Sequence, residues 1–132
     1  MTGGLIVTNG KNMVWKRLFG TAVKAVSHFK VGTGTTDPVV GDTDLETALT
    51  FPAPTSAELK AISTGYPVYD LGNKKFYAQG FVAANELNSE NITESGLFNN
   101  DTTPVMFCRA VFAQVSKTAN DDIIIQYEVD FV

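Results

Sequence analysis

The chain has 132 residues, of which 44% are hydrophobic and 18% charged, with a net charge of -4 at neutral pH. That length suits one domain over residues 1–132, and the apolar share is too high for a disordered polypeptide. The acidic balance and scattered Lys and Arg argue against a nucleic-acid binder, whose affinity comes from clustered cations that release counterions.

Cys108 is the single cysteine, which excludes an internal disulfide and a cysteine-based metal site. Its neighbours in Pro104-Val105-Met106-Phe107-Cys108 are mostly apolar, so it reads as a small packing residue. No apolar run approaches the roughly 18 residues of a membrane span, and no secretory leader pattern is found. The expectation is a protein that neither enters nor crosses a membrane. The triplets Asn91-Ile92-Thr93 and Asn100-Asp101-Thr102 match glycosylation acceptors, which carry no weight without a leader.

Leu5-Ile6-Val7-Thr8 has strand composition, and Asn9-Gly10 breaks it and caps the next segment. Over residues 11–19 the spacing of Met13, Val14, Trp15, Leu18 and Phe19 predicts one short helix, with Gly20 as its stop. Lys11, Lys16 and Arg17 form the one local basic cluster, either a solvated helix face or a surface for an acidic partner. Residues 27–31 read as a strand, followed by a long Gly/Thr-rich loop over residues 32–53. Within it Thr43-Asp44-Leu45-Glu46 has capping-box spacing and predicts a helical turn. So long a loop is expected to become ordered only against a partner.

The second half predicts strands. Residues 59–71 form one, interrupted or bent near Gly65 and Pro67, and Leu71-Gly72-Asn73 is a turn signal. Residues 74–84 are its hairpin partner, with Phe76, Ala78, Val82 and Ala84 on one face and Lys75, Tyr77, Gln79 and Phe81 on the other. Residues 105–112 are apolar except Arg109, as in a strand covered on both sides. Ile123, Ile125, Tyr127, Val129 and Phe131 alternate with Ile124, Gln126, Glu128 and Asp130, which predicts a strand with one buried face. The fold class is therefore mainly β, an antiparallel sandwich or barrel with one short N-terminal helix. The exposed edge of the last strand, marked by Ile124, Gln126, Glu128 and Asp130, is a candidate subunit contact.

No catalytic constellation assembles. His28 is the only histidine, flanked by Ser27 and Phe29, and reads as structural. Nucleophile-elbow, phosphate-loop and zincin motifs are lacking. Gly32-Thr33-Gly34 resembles the start of a dinucleotide fingerprint, without its third glycine or following helix. Asp42, Asp44 and Glu46 alternate as a calcium loop's carboxylates do, but the other features of that loop are missing, so they read as caps. The expectation is no catalytic residue, no cofactor and no metal. Glu94, at the start of the turn-like Glu94-Ser95-Gly96-Leu97-Phe98-Asn99, and Arg109, inside an apolar strand, predict a structural ion pair, with Arg109 facing water or sitting at a subunit contact as the alternatives. A charge in such a strand must pair or reach water, because burying it alone costs several kcal/mol.

Taken in order, these blocks resemble a family of small bacteriophage virion proteins. The likeness lies in residues 5–12, Phe29-Lys30-Val31-Gly32-Thr33-Gly34-Thr35-Thr36, Asp42-Thr43-Asp44-Leu45-Glu46-Thr47, Ile92-Thr93-Glu94-Ser95-Gly96-Leu97-Phe98-Asn99, residues 104–112 and Val115-Ser116-Lys117. The resemblance implies a non-catalytic particle component made in the bacterial cytoplasm and assembled in many copies. Its partners would be other virion proteins and itself, as a trimer or a hexameric or dodecameric ring, with neither nucleic acid nor membrane. A tail, collar or fibre position is the leading expectation, and a capsid decoration protein clamping major capsid subunits is the alternative. From another class, Tyr66, Tyr69 and Tyr77 beside glycine-rich loops suit a module that binds a host surface or glycan, though interface or core packing is the more ordinary account of them.

Overall fold

The computed structural model of the protein describes residues 4–20 and 22–130. Its elements run β1 (Leu5–Ile6), α1 (Thr8–Leu18), β2 (Val26–Gly32), β3 (Lys60–Ala61), β4 (Val68–Asp70), β5 (Lys75–Val82), β6 (Asn91–Asn99), β7 (Met106–Ser116) and β8 (Ile123–Asp130). They form two antiparallel sheets, one ordered β1-β7-β6-β2-β3 and the other β4-β5-β8. The sheets close on a shared core and keep open edges, so the fold is a sandwich and not a closed barrel.

The small sheet follows from period-two patterning. Phe76, Ala78 and Val82 of β5 are buried, as are Ile125, Tyr127 and Val129 of β8, while Ile124, Gln126, Glu128 and Asp130 face out. Phe131, placed by the pattern on the inner face, lies outside the described residues. Opposite them, Phe29, Val31 and Leu97 of the large sheet are fully buried. Each such side chain stabilises the fold by roughly 1.5–3 kcal/mol relative to exposure. Gly80 lets the sheets approach, since a Cβ there would stand 2.8 Å from the Phe29 ring. A polar bond crosses the core: Ser95 Oγ donates to the Lys30 carbonyl at 2.9 Å, which leaves Tyr127 to donate its hydroxyl proton to Ser95 Oγ.

Five expectations need correction. Glu94 opens no turn, because residues 94–99 lie in β6, paired with both β2 and β7. Being covered on both faces, β6 loses the alternation that marks a half-wet strand. Residues 59–71 are interrupted near Gly65 and Pro67, as one of the two readings allowed, but the two halves do not make one strand: β3 pairs in the large sheet and β4 in the small one, and the chain changes sheets between them. The helix begins at Thr8, so Asn9-Gly10 lies within its first turn and not before it. Gly10 is needed there, as a Cβ would meet the Phe107 carbonyl oxygen at 2.1 Å.

The fourth correction concerns the long loop, which is anchored from within the chain. It packs over the outer face of the large sheet, where Leu45 joins Val7, Phe98 and Met106 in a second apolar cluster flanked by Ala48 and Leu59. Thr33 N–H donates to the Thr47 carbonyl and Leu49 N–H to that of Val31, and Phe51 reaches the main core to meet Phe29 edge-on. Residues 43–46 contain no helical turn. The other turn signals hold: Gly20 follows α1 with φ +83°, and Asp70 at the head of the β4–β5 hairpin accepts from Asn73 N–H and Nδ2.

Candidate functional site

The outer face of the large sheet carries a connected set of polar side chains. Cross-strand register sets Lys30 of β2, Gly96 of β6 and Arg109 of β7 in one row, with Gly32 and Glu94 in the next. The loop lies directly above. Gly96 leaves room for it: a Cβ there would stand 2.7 Å from the Cys108 carbonyl and 3.3 Å from Leu45.

Glu94 and Arg109 form the expected pair. Glu94 is fully buried and Arg109 is 3% exposed. Arg109 Nε donates to Glu94 Oε2 at 3.0 Å, and Nη2 stands 2.9 Å from the same oxygen. Nη1 donates to Asp42 Oδ2 at 2.9 Å, Nη2 to the Thr36 carbonyl at 3.0 Å, and Glu46 Oε2 lies 3.9 Å away. Burial alone would lower the Arg109 guanidinium; its bonds to Glu94 and Asp42 outweigh that and hold it above its ordinary value.

Glu94 does more than neutralise Arg109. Its Oε1 accepts from Gly34 N–H at 3.1 Å and Thr47 N–H at 2.8 Å, and its Oε2 accepts from Glu46 N–H at 3.1 Å. One carboxylate thus ties three backbone amides of the loop to the sheet, and Thr93 Oγ1 adds a bond to the Gly34 carbonyl. The Gly32-Thr33-Gly34 signature has its explanation here. A Cβ on Gly32 or Gly34 would stand 2.5 or 2.7 Å from Glu94 Oε1. The two glycines clear space for a carboxylate of their own chain.

The alternating acids are likewise engaged. Asp42 takes Arg109 and the Val39 amide, while Asp44 pairs with Lys30 at 2.9 Å. Glu46 accepts from Thr36 N–H at 3.1 Å. Lys30, 7% exposed, also meets Glu58 at 2.9 Å and stands 4.8 Å from the Phe98 ring centre. Burial opposes its charge, and the bonds to Asp44 and Glu58 prevail and raise it. Among the described residues no three His, Cys, Asp or Glu side chains are grouped to hold a metal ion.

Sequence reasoning gave Lys30, Glu58 and the buried Lys117 no structural role. Lys117 Nζ donates to the Ala84 and Thr118 carbonyls and Asn88 Oδ1. It pins the β5–β6 connection much as Glu94 pins the long loop. An unbroken apolar stretch around a lone polar residue flags Arg109, but no local signal reveals Lys30 or Lys117. His28 sits half-buried on β2 with Nδ1 2.8 Å from Ser27 Oγ, and burial lowers its pKa.

Two chemical consequences can be measured. Burial pushes the Cys108 thiol up to about 12. Its reaction with a disulfide reagent at pH 8 should be roughly a thousandfold slower than that of a free cysteine, whose pKa is about 8.5, and become fast on unfolding. A rapid reaction in the folded protein would contradict this packing. Hydrogen bonds from Thr36 hold Glu46 below the usual carboxylate range, and those from Asn73 do the same for Asp70. A depressed folded pKa stabilises the protein above the unfolded value and is lost as pH falls through the folded one. The melting temperature should therefore decline with acid below the ordinary carboxylate range of about pH 4; a constant value down to about pH 2 would contradict the assignment.

The candidate contact residues Ile124, Gln126, Glu128 and Asp130 are all exposed on β8, an edge strand, with Glu128 paired to Lys75. A cleft of about 760 Å³ runs between β8 and the β1–β7 edge. At one end of the sandwich, Met13, Val14, Leu18, Pro67, Tyr69 and Phe76 line an apolar groove of about 260 Å³ between α1 and the β4–β5 hairpin. Tyr69 is 66% exposed there, whereas Tyr66 and Tyr77 are half-buried. No protein-family model, curated protein or solved structure matches this chain.

Proposed function

We propose that the chain is a bacteriophage virion structural protein without catalytic activity, assembled into the tail, collar or fibre apparatus and made in the host cytoplasm. One observation carries this reading: the residues that resemble the virion family are those that build the scaffold. Gly32 and Gly34 make room for Glu94, Glu94 holds the loop, Arg109 joins Glu94 to Asp42, and Lys117 closes a second loop. A pattern shared for the sake of catalysis would instead centre on groups open to a substrate. The exposed apolar side chains add support. Trp15, Leu18, Phe19 and Leu71 are each more than half exposed on α1 and the β4–β5 hairpin, the elements that flank the apolar groove, as suits a surface covered on assembly.

The test is gold-labelled antibody against this protein on particles of the source phage, viewed by electron microscopy. Label confined to the tail or one vertex is the expected result. Label spread evenly over the heads would replace it with a capsid decoration role. A complete lack of the protein from purified, dissociated particles would overturn the reading, and binding of the isolated chain to host glycans would then favour a recognition module.

A further inference from the structure

Charge is separated along this chain. Lys11, Lys16, Arg17, Lys24 and Lys30 all precede the first acid, Asp37, whereas Asp121, Asp122, Glu128 and Asp130 follow Lys117 with no further Lys or Arg. Folding turns part of this into two surface patches. Arg17 and Lys24 flank the apolar groove beside α1, and Lys16 is exposed on the same helix. Among the described residues none of these three joins an ion pair: Arg17 donates to the Val23 carbonyl and Lys24 to that of Asn100. They carry positive charge on a molecule that is acidic overall.

The complementary patch is at the other end of the small sheet. Ladder register places Lys75 against Asp130 beside the groove, and Val82 against Ile123 at the far end. At about 3.3 Å per residue these ends are roughly 23 Å apart. The far tip carries exposed Asp121 and Asp122 next to Ile124, which is 60% exposed, with Val115 and Phe81 partly open beside it. One end is thus an apolar groove rimmed by cations, and the other an apolar tip rimmed by carboxylates.

We infer that the chain associates with itself head to tail, the Asp121-Asp122-Ile124 tip of one copy seating in the α1 groove of the next. This rests on the reading of the chain as an assembly component. Two different patches that fit each other define a heterologous contact, which closes into a ring where the rotation permits and otherwise extends as a filament. Opposed charges at the rim fix orientation and weaken with salt, while the apolar centre supplies the burial.

The experiment uses two full-length variants, Leu18→Glu in the groove and Ile124→Lys at the tip, both at exposed positions. Circular dichroism verifies that each folds. Light scattering should give the wild type at low salt a mass that is a multiple of 14.2 kDa, falling as salt is raised. Each variant alone should be monomeric, because each lacks one half of the contact. Mixed in equal amounts they should form a one-to-one dimer, since one intact groove and one intact tip remain. A wild type that is monomeric at low salt overturns the inference and leaves the groove to another virion protein. An oligomeric wild type whose variants never combine overturns it in favour of a like-to-like contact. Neither result touches the particle reading, which the gold label tests separately.

Discussion

Glu94→Ala is expected to remove about 3–5 kcal/mol of stability, the usual loss when one partner of a buried ion pair is deleted. A domain of this size has only about 5–15 kcal/mol in total, so the variant should be close to unfolding at physiological temperature. The loss has two parts. Arg109 is left buried, with Asp42 at 2.9 Å and Glu46 at 3.9 Å as its carboxylates, and the amides of Gly34, Glu46 and Thr47 lose their acceptor. The second part separates this site from a simple ion pair. Replacing both charges, as in Glu94→Leu with Arg109→Met, removes the unpaired charge but restores none of the loop bonds. Urea unfolding of both single variants and the double should therefore give a coupling of about 1–3 kcal/mol, with the double still less stable than wild type. Additive losses would mean that the two side chains do not interact. Full recovery in the double would mean that the loop amides do not depend on Glu94.

Gly32→Ala and Gly34→Ala should each cost about 1–3 kcal/mol through overpacking. The added methyl on Gly32 would stand 2.4 Å from the Thr47 carbonyl oxygen, and that on Gly34 2.5 Å from Glu46 Cβ, with Glu94 Oε1 close to both. Neither glycine has a positive φ, so the penalty is one of space and not of backbone preference. Gly41→Ala is the control, because nothing lies within 4 Å of its added carbon; it should change stability by less than about 0.5 kcal/mol. Thermal unfolding of the three variants decides the matter. Equal melting temperatures for all three would contradict the crowding of this carboxylate.

Much of the small sheet was legible in the sequence, and less of the large one, for a physical reason. β5 and β8 have one wet face, so their side chains alternate in polarity and the period can be read directly. β6 has a sheet on one side and a loop on the other, so its buried outer face holds Glu94, Gly96 and Phe98 in place of an apolar or solvated row. That mixture of polar and glycine residues reads as a turn. The division of residues 59–71 between two sheets was equally hidden, because short edge strands carry too few residues to show a period.

The Glu94–Arg109 pair was found by cost and not by pattern: a cation in an apolar strand requires an anion. The same reasoning extends no further. Asp42, Asp44 and Glu46 looked like a local set of ligands, yet their cations, Arg109 and Lys30, come from strands remote in sequence. Glycine density suggested a loop that waits for a partner, whereas Gly32 and Gly34 are small in order to let Glu94 hold that loop. Composition reports that a backbone is irregular, but not whether it is held.

Whether that loop is held by the chain itself is best tested by amide hydrogen exchange on the isolated protein. The amides of Gly34, Glu46 and Thr47 should exchange slowly in the wild type and lose most of that protection in the Glu94→Leu, Arg109→Met double variant, while amides in the β5–β8 ladder keep theirs. Rapid exchange at all three positions in the wild type would contradict an internally fastened loop and restore the partner as the agent that orders it.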